Sequence, residues 1–201
     1  ASTADNGQGG AGVAYDAQIM ALKGLDFFGD GTFQALANAI LYAVDNGADV
    51  INASWGGEGS ESTLASAVAY AISHGVVFVA AAGNGDLFGN PINVANFTPA
   101  SLPGVIAVGA TDVNDVRASF SNFGTKLALT APGVDVRSTS LGGGYIEESG
   151  TSMASPHVAG LAALVLSYWP TYTVTQVKSA LTSTADDLGA AGFDIFYGHG
   201  R

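Results

Sequence analysis

GTSMASPHVAG, residues 150–160, leads into a run of small and apolar residues that continues to Leu166. Pro156 has no backbone N–H, which suits a first helical turn better than an interior. A helix is therefore predicted to start close to Ser152 and to run to about Ser167. Its lining of Ala154, Ala159, Gly160, Ala162 and Ala163 suits close packing inside a domain. A serine at a helix start faces unpaired backbone N–H groups and the positive end of the helix dipole. That setting suits a simple N-cap, and it also suits a nucleophile that must carry developing negative charge.

Upstream, strand and helix signals alternate. VVFVAAA at 76–82 is fully apolar and predicts a central buried strand, and GVIAVGA at 104–110 predicts another. DVINAS at 49–54 and AQIMALKGL at 17–25 are further strand candidates, the latter expected to be buried. Thr32 is placed to cap a helix with Phe33, Leu36, Ile40, Leu41 and Val44 at helical spacing, ended by Asn46-Gly47. Further helices are predicted from Glu61 to His74 and from Thr173 to Ser183. Strand, glycine turn, helix and strand in succession imply an α/β fold with a mainly parallel sheet and crossover helices. In such sheets sites gather at the carboxyl ends of strands, where Ser54-Trp55-Gly56-Gly57 and Gly83-Asn84 stand.

Composition narrows the function classes. The chain has 201 residues, 48% hydrophobic and 11% charged, which suits one globular domain with a core. A net charge of −11 argues against nucleic acid or an anionic membrane as partner. No cysteine is present, which excludes disulfides and thiolate metal sites. No apolar run is long enough to predict a membrane span. The amino-terminal loop, residues 1–14, holds a GxGxxG match at Gly7, Gly9 and Gly12. No strand precedes it and no helix pattern follows, so a dinucleotide site is not expected.

Taken whole, GTSMASPHVAG resembles the nucleophile motif of subtilisin-like serine proteases, the subtilases, and other strings match that family in order along nearly the whole chain. VVFVAAAGN resembles the segment whose asparagine, here Asn84, forms the oxyanion hole. Ala81, Ala82 and Gly83 would floor the specificity pocket. SWGG at Ser54, Trp55, Gly56 and Gly57 matches the SxGG segment that lines it, and Gly29, Asp30 and Gly31 match the segment that pairs with substrate as an antiparallel strand. Thr98-Pro99-Ala100 stands where the family has Tyr-Pro-Ala, often with a cis proline, and Thr98 departs from that pattern. RASFSNF at 117–123 and LTAPG at 129–133 also match and read as structure without chemistry of their own. DIFYGHGR at 194–201 resembles the closing YGxG motif.

The resemblance implies a three-layer α/β/α fold with a mainly parallel central sheet. It implies a secreted endopeptidase, monomeric when complete, that cleaves proteins or peptides through an acyl-enzyme on Ser152. No organic cofactor is implied. The loop at 1–14 matches one where family members hold a structural calcium, with Ala4, Asn6, Gln8 and Gly10 at the ligand positions. All-oxygen ligation of that kind fits calcium.

Subtilase catalysis also needs an aspartate, carried in D-[ST]-G, and a histidine, carried in HGTHVAG, and neither motif occurs here. His157 lies about 140° around and about 7.5 Å along the predicted helix from Ser152, out of reach. His74 is read as a helix-end residue, and His199 lies in the closing GHG. The expectation is a partial peptidase catalytic domain spanning residues 1–201, incomplete at the amino terminus and inactive alone. The alternative is a non-catalytic, peptide-binding homologue.

Overall fold

The computed structural model describes Ser2 and residues 4–201; Ala1 and Thr3, part of the predicted amino-terminal loop, lie outside the described residues. The elements in order are α1 (Phe33–Asp45), β1 (Val50–Ala53), β2 (Gly57–Glu58), α2 (Ser62–Ser73), β3 (Val77–Ala81), a 3-10 turn (Val94–Asn96), β4 (Phe97–Thr98), β5 (Ile106–Thr111), β6 (Leu127–Pro132), β7 (Val136–Thr139), β8 (Tyr145–Glu148), α3 (Thr151–Tyr168) and α4 (Val174–Ser183). Strands β1, β3, β5 and β6 form a four-stranded sheet in that order, and every pair is parallel.

The side-chain period of two along the strands builds two cores, one on each face. Phe78 and Ala80 of β3 face α1 and α2, meeting Leu36, Ile40, Leu64 and Val68. Val77 and Val79 face the other way, with Ile106 and Val108, against Ala154, Val158 and Ala162 of α3 and Val177 of α4. The result is the expected three-layer α/β/α arrangement. Phe78, Ile106, Val158 and Val177 are fully buried, each stabilising the fold by about 1.5–3 kcal/mol. The continuous apolar runs exist because both faces of the sheet are covered.

Local signals set the helix ends. Thr32 Oγ1 accepts from Ala35 N at 3.1 Å, and Gly47 follows α1 at φ 79°. Thr173 and Gln176 form a reciprocal capping box at the start of α4. His74 caps α2, its Nδ1 lying 2.8 Å from the Tyr70 carbonyl.

Three expectations need correction. Residues 17–25 form no strand; Ile19 is 70% exposed, and Met20 and Leu22 are exposed too. Among the described residues, strand β1 pairs only with β3 and its other edge is open, but residues 17–25 do not pair with that edge, so their apolar side chains are not covered by the sheet. The helix starts at Thr151, close to Ser152 as expected, but Gly150 is its N-cap without a side-chain bond, so the N-cap reading of Ser152 does not hold. Pro156 stands inside α3 rather than in its first turn. The Ser152 carbonyl, four residues before it, accepts from Ser54 Oγ at 2.7 Å. The sequence also gave no warning of the antiparallel hairpin β7–β8.

Candidate active site

The carboxyl ends of β1 and β3 and the start of α3 meet at one point. Ser54 follows β1 directly, Asn84 stands three residues beyond β3, and Ser152 is the second residue of α3. Hydrogen bonds join Ser54 to Ser152 across 98 residues and Asn84 to Thr151, the neighbour of Ser152, across 67.

Asn84 is held by its oxygen. Both Thr151 N and Thr151 Oγ1 donate to Asn84 Oδ1, at 2.9 and 2.8 Å. Thr151 Oγ1 also accepts from Gly83 N at 3.0 Å. With the amide oxygen engaged, its nitrogen must face the other way. Asn84 Nδ2 lies 3.2 Å from where a Cβ on Gly150 would stand, beside the first turn of α3. The side chain is exposed, so Nδ2 is presented to solvent as a donor. Donors at a helix N-terminus make a setting for an anion.

Asn122 fixes the loop that carries Asn84. Its fully buried amide donates from Nδ2 to Ala82 O at 2.9 Å, and its Oδ1 accepts from Gly85 N and Ile92 N at 3.0 and 2.8 Å. Asn122 N donates to Gly83 O at 3.0 Å. This agrees with reading RASFSNF as structure without chemistry of its own, though that reading did not single out Asn122. Only the pairing of a buried amide with a turn that exposes several backbone groups could have signalled it.

Ser152 and Ser54 bond reciprocally. Ser152 Oγ donates to the Ser54 carbonyl at 3.1 Å, and Ser54 Oγ donates to the Ser152 carbonyl at 2.7 Å. The candidate nucleophile thus rests on a main-chain acceptor. Gly56 and Gly83 both back onto the Phe97 ring, where a Cβ on either would collide. The 54–57 and 81–83 segments therefore come together around Phe97, with Ala81 and Ala82 buried behind. Trp55 packs partly against the α1–α2 core, and Gly57 has open space around it. The Thr98-Pro99 peptide is cis.

The other predicted residues have local partners. Gly29, Asp30 and Gly31 leave a tight turn, in which Asp26 Oδ1 accepts from Phe28 N and Asp30 N and Gly29 has φ 84°. Gly31 packs on Gly24 O and Leu25, two residues ahead of α1. Ala4, Asn6, Gln8 and Gly10 form a surface loop in which Asn6 Oδ1 accepts from Gln8 N at 3.0 Å. Gly9 in that loop lies against the Tyr145 hydroxyl of β8.

The match to the model of the Subtilase family runs over residues 1–200. The chain belongs to the subtilase family. Subtilisin DY of Bacillus licheniformis is 46% identical over 196 residues, which cover 98% of this chain and 70% of that protein. The thermophilic serine proteinase of Bacillus sp. strain AK1 is 46% identical over 198 residues, covering 98% of this chain and 47% of that one. A solved protease of Pseudoalteromonas arctica shares the fold at TM-score 0.90 and 36% identity, covering 100% of this chain and 65% of that one. A cold-adapted subtilisin-like serine proteinase gives TM-score 0.77 at 39% identity over 83% of this chain and 60% of its own. This subtilase chain thus spans between 47% and 70% of the length of these relatives.

None of the three histidines of this subtilase chain bonds to Ser152. His157 Nδ1 lies 2.8 Å from Met153 O in its own helix, His74 faces Tyr70, and the His199 ring meets Phe193 edge-on. Among the described residues there is no group of three or more His, Cys, Asp or Glu side chains able to hold a metal.

Proposed function

We propose that this chain carries the nucleophile and oxyanion half of a serine endopeptidase that hydrolyses protein substrates through an acyl-enzyme. The observation that carries the reading is the grip of Thr151 on Asn84 Oδ1, which turns Asn84 Nδ2 outward beside the helix start that bears Ser152. Ser152 Oγ attacks the scissile carbonyl. Asn84 Nδ2 and the Ser152 N–H donate to the oxyanion that forms, an interaction preset before substrate arrives. Ser54-Trp55-Gly56-Gly57 and Ala81-Ala82-Gly83 line the pocket for the side chain next to the scissile bond, with bare glycines where substrate backbone approaches. Gly29, Asp30 and Gly31 pair with the substrate main chain.

The proton on Ser152 has no base among these histidines, so the reading needs a histidine and its orienting aspartate from beyond residues 1–201. In that sense the 201 residues act as a partial catalytic domain. The complete protein works as a monomer outside the cell on proteins or peptides. No nucleic acid or membrane partner belongs to this reading, and no helix of the described residues is long and apolar enough to cross a membrane. No organic cofactor takes part in the chemistry.

For calcium, the donor set in the amino-terminal loop fits in kind. The carbonyls of Ala4, Gln8 and Gly10 and the Asn6 side chain offer only oxygen, and Asn6 Oδ1 keeps a second lone pair beside its bond to Gln8 N. A calcium ion there would brace the loop and would supply no chemistry to Ser152.

The test compares the 201-residue chain with the full natural protein on a chromogenic peptide. The expected result is turnover by the full protein, lost in Ser152→Ala, and none by the 201 residues alone. Ser152-dependent turnover by the 201 residues would refute the missing-base reading. A full protein that binds peptide without cleaving it would replace the enzyme by a binding module.

A further inference from the structure

Pro156 stands four residues after Ser152 inside α3. In an α-helix the carbonyl of residue i accepts from the N–H of residue i+4, and proline has none to give. The Ser152 carbonyl is therefore freed from the helix ladder by the sequence itself. Ser54 Oγ fills the vacancy, donating to Ser152 O at 2.7 Å across 98 residues. The Ser54 hydroxyl is itself held in place. It accepts from Asn52 Nδ2 at 3.0 Å, and Asn52 Oδ1 accepts from Ser155 Oγ at 2.7 Å. Donation runs in one direction, Ser155 to Asn52 to Ser54 to Ser152, and begins and ends on α3. Such a chain polarises each hydroxyl for its next donation.

We propose that Asn52 and Ser54 are positioning residues that clamp the first turn of α3 through the carbonyl released by Pro156, and so set the angle at which Ser152 presents its hydroxyl. The proposal rests on the protease reading only in the role given to Ser152; the clamp itself is a matter of hydrogen bonding. It assigns the Ser54 side chain a task separate from the pocket lining expected of the 54–57 segment. It also explains how α3 carries a proline beyond its first turn. The bond that proline removes is replaced from β1, and the replacement ties the sheet to the nucleophile-bearing turn.

The test is a double-substitution cycle in the full natural protein. Ser54→Ala removes the donor, and kcat is expected to fall about fivefold with KM nearly unchanged, the effect of one ordinary hydrogen bond expressed on positioning. Pro156→Ala supplies a helical N–H to the same carbonyl. In the Pro156→Ala background, Ser54→Ala is therefore expected to cost less than twofold, by the same accounting. Asn52→Ala is expected to lower kcat in the Ser54 protein and to add nothing once Ser54 is alanine. Additive losses for Ser54→Ala and Pro156→Ala, or a Ser54→Ala effect confined to KM, would overturn the clamp. If the full protein shows no Ser152-dependent turnover, the protease reading fails and the cycle is read from thermal unfolding. Non-additive Tm shifts for the pair then sustain the clamp, and additive shifts remove it.

Discussion

Replacing Asn122 by alanine puts the strongest load on the account of the Asn84 loop. The side chain is fully buried and makes three hydrogen bonds, with Ala82 O, Gly85 N and Ile92 N. Alanine leaves all three backbone groups without that partner. An unsatisfied buried group costs about 1–3 kcal/mol. Ala82 is wholly buried and takes a middle value of about 2 kcal/mol, while Gly85 and Ile92 are half-buried and take about 1 kcal/mol each. The expected loss is about 4 kcal/mol, against a typical total stability of about 5–15 kcal/mol. Urea unfolding of the full protein, followed by Trp55 and Trp169 fluorescence, measures it as a fall in midpoint at constant slope. A loss below about 1 kcal/mol would mean that water replaces the amide freely, and the assignment of Asn122 as the fastener of this loop would be wrong.

Other expectations concern catalysis, capping and pH. Asn84→Ala in the full protein should lower kcat by about 10²–10³ with little change in KM, as steady-state kinetics on a peptide substrate would show. Thr173→Ala removes the side chain that accepts from Gln176 N and should destabilise by about 1 kcal/mol in denaturant unfolding. Lys178 donates from Nζ to Val105 O at 3.1 Å, and burial pushes its pKa below the ordinary lysine value of 10.5, with Lys126 adding to the effect. The unfolded chain then binds more protons than the folded one in the interval below 10.5, so this residue makes stability rise with pH there. Lys178→Met should flatten that alkaline rise in Tm.

Elements whose partners are near in sequence could be read from the sequence. Thr32, Asn46-Gly47 and Thr173 set helix ends within a few residues of themselves, and the apolar β3 run could only be a strand covered on both faces. Ser152 and Asn84 stood out because the residues around them matched a family string. What the sequence hid was non-local. Asn122 did not stand out within RASFSNF because its partners lie 30 to 40 residues away. Thr151 carried no signal of its own, because its hydroxyl meets Asn84, 67 residues away. Residues 17–25 carried a strand pattern, but pattern alone cannot supply a neighbouring strand. Pro156 was assigned to a first turn by a rule about helices in isolation, which cannot foresee a hydroxyl arriving from β1.

The reciprocal bonds between Ser54 and Ser152 have a consequence for the order in which the molecule comes into being. Their two halves are synthesised about a hundred residues apart, and Asn84 waits on Thr151 across 67. Contacts of such separation form only after most of the chain has lost its freedom. A nascent chain that has emerged as far as β6 carries the 54–57 and 81–84 segments but neither Ser152 nor the Thr151 grip on the Asn84 amide. The Ser54–Ser152 and Thr151–Asn84 contacts therefore cannot form until α3 has been made and has docked on the sheet.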